Sequence, residues 1–255
     1  MHYCLEKSPV AKMSSLSRIK KALRESGSPE KAGILRSFFK TGPNEYAEGD
    51  KFIGVKVPDT RKIAREHQDL KSRDLLALLR SAVHEERLLA LLILIAQFQK
   101  AEEKEKSGIY RLYLQNTRYI NNWDLVDLSA PQIVGAYLAD KNKEPLYGLV
   151  ASKSLWERRI AIIATFNFIK DNDFNETLSL AKMLLEDKED LIHKAVGWML
   201  REVGKRKQEK LELFLNAYAP RMPRTMLRYA IERFSETKRR HYLTRPRAAI
   251  TSTTA

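Results

Sequence analysis

The sequence predicts an all-α protein, an α-solenoid of HEAT-like helical repeats, curved and with a basic concave face. Three observations lead there. Glycine is scarce, with 10 in 255 residues, and long stretches rich in Ala, Leu, Glu, Lys and Arg replace strand-like runs. Helical segments follow one another through short connections, with no linker that marks a second domain. A similar helix layout recurs at a period in the middle thirties.

In chain order, residues 1–11 are expected to form a loose leader. Helices are then predicted over 12–26, 28–40, 59–68, 71–81, 83–99, 102–115, 122–139, 143–151, 154–170, 174–186, 189–204, 207–217 and 221–234. The repeat domain is expected to span 12–241, with a flexible tail over 242–255. The most apolar run, Leu88 to Phe98, reads as part of an amphipathic helix and is too short to span a bilayer.

Four helices share a layout: EERLLALLILIAQF (85–98), ERRIAIIATFNFI (157–169), IHKAVGWMLREVG (192–204) and MLRYAIERF (226–234). Each has a basic residue before a small-plus-apolar stretch, at Arg87, Arg159, Lys194 and Arg228. The last three are 35 and 34 residues apart, and Arg87 and Arg159 are 72 apart, leaving room for one more unit. That unit is WDLVDLSAPQIVGAYLA (123–139), with Asp124 near the register position. Helix pairs of this period cannot bury their apolar faces alone, so they stack, and the second helix of each pair then lines a concave surface. The plainer alternative for each basic residue is that it is solvated or paired with a neighbouring acid.

Lysine and arginine number 46 against 32 acids, a net charge of +14. That balance points to a polyanionic partner, nucleic acid ahead of an anionic membrane. A membrane-surface role is disfavoured because no helix concentrates both a basic face and a bulky apolar one. One cysteine, Cys4, leaves no disulfide framework, and no basic, apolar-cored leader opens the chain, so a reducing, cytoplasmic setting is expected. The five histidines lack zinc-site spacing; His193 reads as a surface or capping residue. No dinucleotide, phosphate-loop or nucleophile-elbow signature occurs. No cofactor and no metal are expected.

The unit that breaks the basic pattern carries the chemistry-bearing residues. In NNWDLVDLS, Trp123 and Asp127 are four apart and share a helical face, with Asn122 as N-cap. Pro131 follows Asp127 by four and would kink a continuous helix there. Trp198 lies four after Lys194, and Trp156 three before Arg159. All of these tryptophans could simply fill the core, and Asp127 could merely support the helix start. A carboxylate among basic residues is expected to have a lowered pKa. In a trough that binds DNA it costs affinity, and catalysis would be a reason to keep it.

The strings NNWDLVDLSAPQIVG (121–135), LWERRIAI (155–162) and IHKAVGWMLREVGK (192–205) resemble the bacterial AlkD-like DNA alkylation repair proteins, and FIGVKVPDTRKIAR (52–65) is similar to the family's N-terminal region. The resemblance covers residues 15–235. It implies a HEAT-like solenoid that wraps duplex DNA and excises cationic N3- and N7-alkylpurines. By matching strings it implies a catalytic centre of Trp123, Asp127, Arg159 and Trp198, with Arg159 holding a phosphate. Phe38 aligns where the family often has tyrosine. With Arg61, Arg87, Lys194, Arg201 and Arg228 it makes up the expected DNA-contacting set. The implied partner is duplex DNA containing alkylated bases, met by a monomer without a protein partner. The reading from a different class is a non-catalytic repeat scaffold that binds DNA or an acidic protein.

Overall fold

A computed structural model describes residues 15–246. The leader expected over 1–11, Cys4 and the tail beyond Pro246 lie outside the described residues. Helices and their connections account for the described chain, and no strand is formed there beyond a single bridge between Lys51 and Val83. No described helix is long and apolar enough to cross a membrane.

Two compact units divide the chain after Gln97. The first holds α1 (Ser15–Glu25), α2 (Pro29–Phe38), α3 (Val57–Glu66), α4 (Ser72–Leu79) and most of α5 (His84–Lys100). Ser28 caps α2 by accepting the Lys31 N–H, and Pro29 supplies a pre-set first turn. The segment before α3 is held by Glu85, which is 2% exposed and accepts the backbone N–H groups of Ile53, Gly54 and Val55. α5 differs from the amphipathic helix expected. Leu88 to Leu91 and Ile93 to Ile95 are buried, so its apolar residues occupy most of the circumference, as in a helix enclosed by its neighbours.

The second unit holds α6 (Glu103–Leu114), a 3-10 turn (Thr117–Tyr119), α7 (Trp123–Ala130), a π-helical turn (Pro131–Gly135), α8 (Ala136–Leu138), α9 (Glu144–Val150), α10 (Leu155–Ala164), α11 (Phe166–Lys170), α12 (Asn175–Met183), α13 (Asp190–Arg206), α14 (Gln208–Tyr218), α15 (Arg224–Ala230) and α16 (Glu236–Thr244). The helix expected over 122–139 is interrupted where Pro131 stands. Proline has no N–H to give the Asp127 carbonyl, and the backbone widens into a π turn for the next residues. The helix expected over 154–170 breaks at Thr165, which is fully buried and turns its hydroxyl onto the Ile162 carbonyl at 2.7 Å. α16 was not expected: the tail assigned to 242–255 overlaps its last turn. Ser235 caps it, and Tyr242 is buried and donates to Asn216 of α14.

Inside this unit α10 packs on α7, α9 and α13, while α13 packs on α14 and α15. Two glycines let backbones meet. A Cβ at Gly135 would lie 2.2 Å from the Ala164 carbonyl, and one at Gly197 would lie 2.5 Å from the Met226 carbonyl. Ile160, Ile162, Ile163, Met199, Leu200 and Val203 are fully buried between these helices. Each such side chain contributes on the order of 1.5–3 kcal/mol through its removal from water.

Ion pairs join residues roughly one repeat apart: Arg87 with Asp50, Arg159 with Asp127, Arg158 with Asp187, Arg201 with Glu232 and Arg221 with Glu186, at separations of 37, 32, 29, 31 and 35 residues.

Candidate active site

Asp127 sits on the second turn of α7. Asn122 opens that helix in extended conformation and accepts the Trp123 N–H at 2.8 Å, which fixes where Trp123 and Asp127 emerge. Arg159, on α10 and 5% exposed, meets the Asp127 carboxylate with a two-pronged grip. Its Nε donates to Oδ1 at 2.9 Å and its Nη2 to Oδ2 at 2.8 Å, while Nη1 donates to the Leu191 carbonyl in the first turn of α13. One guanidinium therefore ties α7, α10 and α13 together.

This geometry corrects two expectations. Three of the five N–H donors of Arg159 are committed to protein and the side chain is buried, so its main partner here is Asp127 and the open, phosphate-facing side chain expected is not what is found. Burial also pushes the Asp127 carboxyl above its ordinary pKa; the Arg159 charge and hydrogen bonds pull it back without cancelling that, and nearby Asp124 adds a smaller push upward. The lowered pKa expected among basic residues required more solvent than reaches this position, where the side chain is only 18% exposed.

Below Asp127, Tyr113 is fully buried and hydrogen-bonds Ser129 at 2.8 Å, and the Ser129 hydroxyl lies 2.6 Å from the Leu125 carbonyl. Burial, with a smaller contribution from Asp127, pushes the Tyr113 hydroxyl well above its usual range, so it stays protonated and structural.

Trp198 lies seven residues after Leu191 on α13, two turns and about 10 Å along the same face. Its ring tilts against Phe166 at 6.0 Å between centroids, and its indole N–H donates to Glu202 at 3.1 Å. Trp123, Trp156 and Trp198 are all half-buried, so none is a wholly interior core residue.

The expected DNA contacts fare unequally. Arg87 is 3% exposed, locked to Asp50 at 2.6 Å and to the Ser81 carbonyl, and it faces no solvent; it is withdrawn as a phosphate contact. It was read as lining a surface because its acidic partner is 37 residues away. Lys194 pairs with Asp190 at 2.7 Å while remaining 41% exposed, and Arg201 is mostly covered and paired with Glu232. Arg61 and Arg228 are exposed and have no acidic partner among the described residues. Phe38 is 60% exposed, edge-on to buried Phe39. His193 hydrogen-bonds the Asp187 carbonyl, in keeping with a local structural role. Sequence reading missed Glu202 and the Leu191 carbonyl; the first was visible as an acid one turn after Trp198, the second has no side-chain signal.

A helical repeat fold with a mostly buried carboxylate clamped by arginine between three helices, and a tryptophan on each of them, defines the class as all-α repeat proteins. Within that class the chain belongs to the DNA alkylation repair enzyme family, whose sequence model matches residues 19–234. A solved structure of a predicted DNA alkylation repair enzyme from Enterococcus faecalis is similar in fold, with a TM-score of 0.64 over 83% of this chain and 98% of that one, at 16% identity. No curated protein matches the chain. Its role therefore lies in the repair of alkylated DNA.

Proposed function

We propose that the chain is a DNA glycosylase that releases positively charged N3- and N7-alkylated purines from duplex DNA by hydrolysing the N-glycosidic bond. The observation that carries this reading is the Asp127 carboxylate, oriented through both oxygens by a buried arginine in a place where burial works against its charge. A charge kept at such a cost is best explained by the step it serves.

An alkylated purine already bears positive charge, so it departs as a neutral base that takes the electron pair of the breaking bond and needs no general acid. The sugar left behind carries oxocarbenium character at C1′. Asp127 faces that charge electrostatically and orients the water whose oxygen bonds to C1′; the water's proton passes to the carboxylate and on to solvent. Trp123 and Trp198 press on the deoxyribose with their exposed faces. Arg159 acts through Asp127. Arg228, with Lys194 and Arg201, supplies contacts to the duplex from the second unit, and Arg61 and Phe38 supply contacts from the first.

The test is a release assay on duplex DNA containing 7-methylguanine. Free base should appear with the wild-type protein, and Trp123→Ala and Trp198→Ala should slow it while both variants remain folded. Binding of the duplex without any release would instead make the chain a repeat scaffold.

A further inference from the structure

Glu202 is an acid among residues proposed to meet a polyanion, and it is only 14% exposed. Glutamates are rarely drawn in this far without partners. Its Oε1 has two close ones: the indole N–H of Trp198 at 3.1 Å and Nζ of Lys205 at 2.7 Å, with Nε of Arg201 at 3.8 Å. Arg201 is in turn held by Glu232, which lies just beyond α15. A chain of charges therefore runs from the end of α15 to the indole of Trp198.

The rest of the Trp198 environment is equally fixed. Gly197 brings the α13 backbone against α15, so the stem of the neighbouring tryptophan has a set origin. Phe166 supports the ring from another side. A tryptophan has two side-chain torsions, and the contacts with Phe166 and Glu202 restrict both while the ring stays half-buried. None of this is needed for core packing, where an apolar neighbour would serve.

We propose that Glu202 is a positioning residue for base release: its carboxylate holds the Trp198 indole by the N–H and so aims the ring face at the sugar. The proposal rests on the glycosylase reading and deepens it. A charged acceptor gives a stronger hydrogen bond than a neutral one and polarises the indole, leaving its face more electron-rich toward the cationic sugar of the transition state. The negative charge of Glu202 opposes DNA binding, so its benefit should appear in the chemical step and not in affinity.

Glu202→Ala and Glu202→Gln would be compared with wild type, each also in a Trp198→Ala background. The measurements are single-turnover release of 7-methylguanine at saturating enzyme, duplex affinity, melting temperature and the indole N–H resonance of Trp198. Glu202→Ala should slow release about tenfold, the size of a lost charge-assisted hydrogen bond. Duplex affinity should be equal or tighter, and the Trp198 resonance should move. Glu202→Gln keeps an acceptor oxygen without the charge and should recover part of the rate. In the Trp198→Ala background, removing Glu202 should have no further effect. A wild-type rate in Glu202→Ala, or equal slowing in both backgrounds, would overturn the proposal. So would rate losses that follow the melting temperature without rescue by glutamine. If the wild-type protein released no base, the glycosylase reading would fall; the Trp198 resonance in the two Glu202 variants would still decide whether Glu202 holds the ring.

Discussion

Replacing Asp127 by asparagine preserves the size of the side chain and one acceptor oxygen, while removing the charge. In the structure the carboxylate takes one hydrogen bond from Arg159 on each oxygen, at 2.9 and 2.8 Å. The amide oxygen can keep one of these, and the amide nitrogen then faces a guanidinium donor, so one charge-assisted bond is lost, worth about 1.5–3 kcal/mol. Against that, asparagine no longer buries a charge that its surroundings disfavour. The two effects oppose each other and leave a net stability change of about 1–2 kcal/mol or less, a few degrees in Tm for a chain of this size. Catalysis has no such compensation. Loss of the electrostatic partner to the oxocarbenium sugar should slow 7-methylguanine release by about 10²-fold or more, with undamaged duplex bound as well or better. Asp127→Ala serves as the contrast: it leaves Arg159 buried with the Leu191 carbonyl but without its anionic partner and should cost about 3–5 kcal/mol of stability. An asparagine variant that releases base at the wild-type rate would refute the catalytic role. One that unfolds together with its loss of activity would make Asp127 an anchor for Arg159.

Because burial raises the Asp127 pKa, release should fall on the acid side at a pH above the ordinary aspartate range, and the asparagine variant should lack that limb. The sign for stability is the reverse: between the unfolded and the raised folded pKa the folded state holds the proton more tightly, so this group's contribution falls as pH rises through that window, a slope that pH-dependent melting of wild type and Asp127→Asn would isolate. Arg228→Ala should weaken binding to all duplexes alike and reduce the log–log salt slope by about one. Arg87→Ala should leave that slope unchanged and lower stability by about 3–5 kcal/mol, since it leaves Asp50 in the interior with only His84 at 3.4 Å beside its carboxylate. Gly197→Ala forces α13 away from α15 and should lower stability by about 1–3 kcal/mol while disturbing Trp198, visible in melting and in tryptophan fluorescence.

Helix existence was legible because apolar spacing survives in a single sequence, and the breaks were not. Pro131 announced a disturbance after Asp127, but whether the backbone kinks or widens depends on what packs beside it, here the carbonyl of Ala164 against Gly135. Thr165 gave no warning, since its break comes from a hydroxyl turned onto its own helix in the interior. α16 was hidden by its composition: it is strongly polar, and Tyr242 is its one buried side chain. Trp123 and Asp127 are four apart on α7, so their shared helix face could be read directly. Arg159 was found only as a member of a periodic series, and the series misled at Arg87. Both arginines look alike in sequence, and each is neutralised by an acid more than thirty residues away that no local pattern reveals.

The ion pairs spaced by about one repeat also act on which structure the chain can adopt. Stacked helix pairs of similar shape can in principle slide by a turn or exchange neighbours, because apolar faces tolerate many partners. Arg87 with Asp50, Arg158 with Asp187 and Arg159 with Asp127 work against this. Paired, such groups add little to stability; shifted by one turn, each would leave a lone charge in the interior at a cost of about 3–5 kcal/mol. They behave as keys cut for one lock each, so misassembled stackings are penalised more heavily than the native one is rewarded.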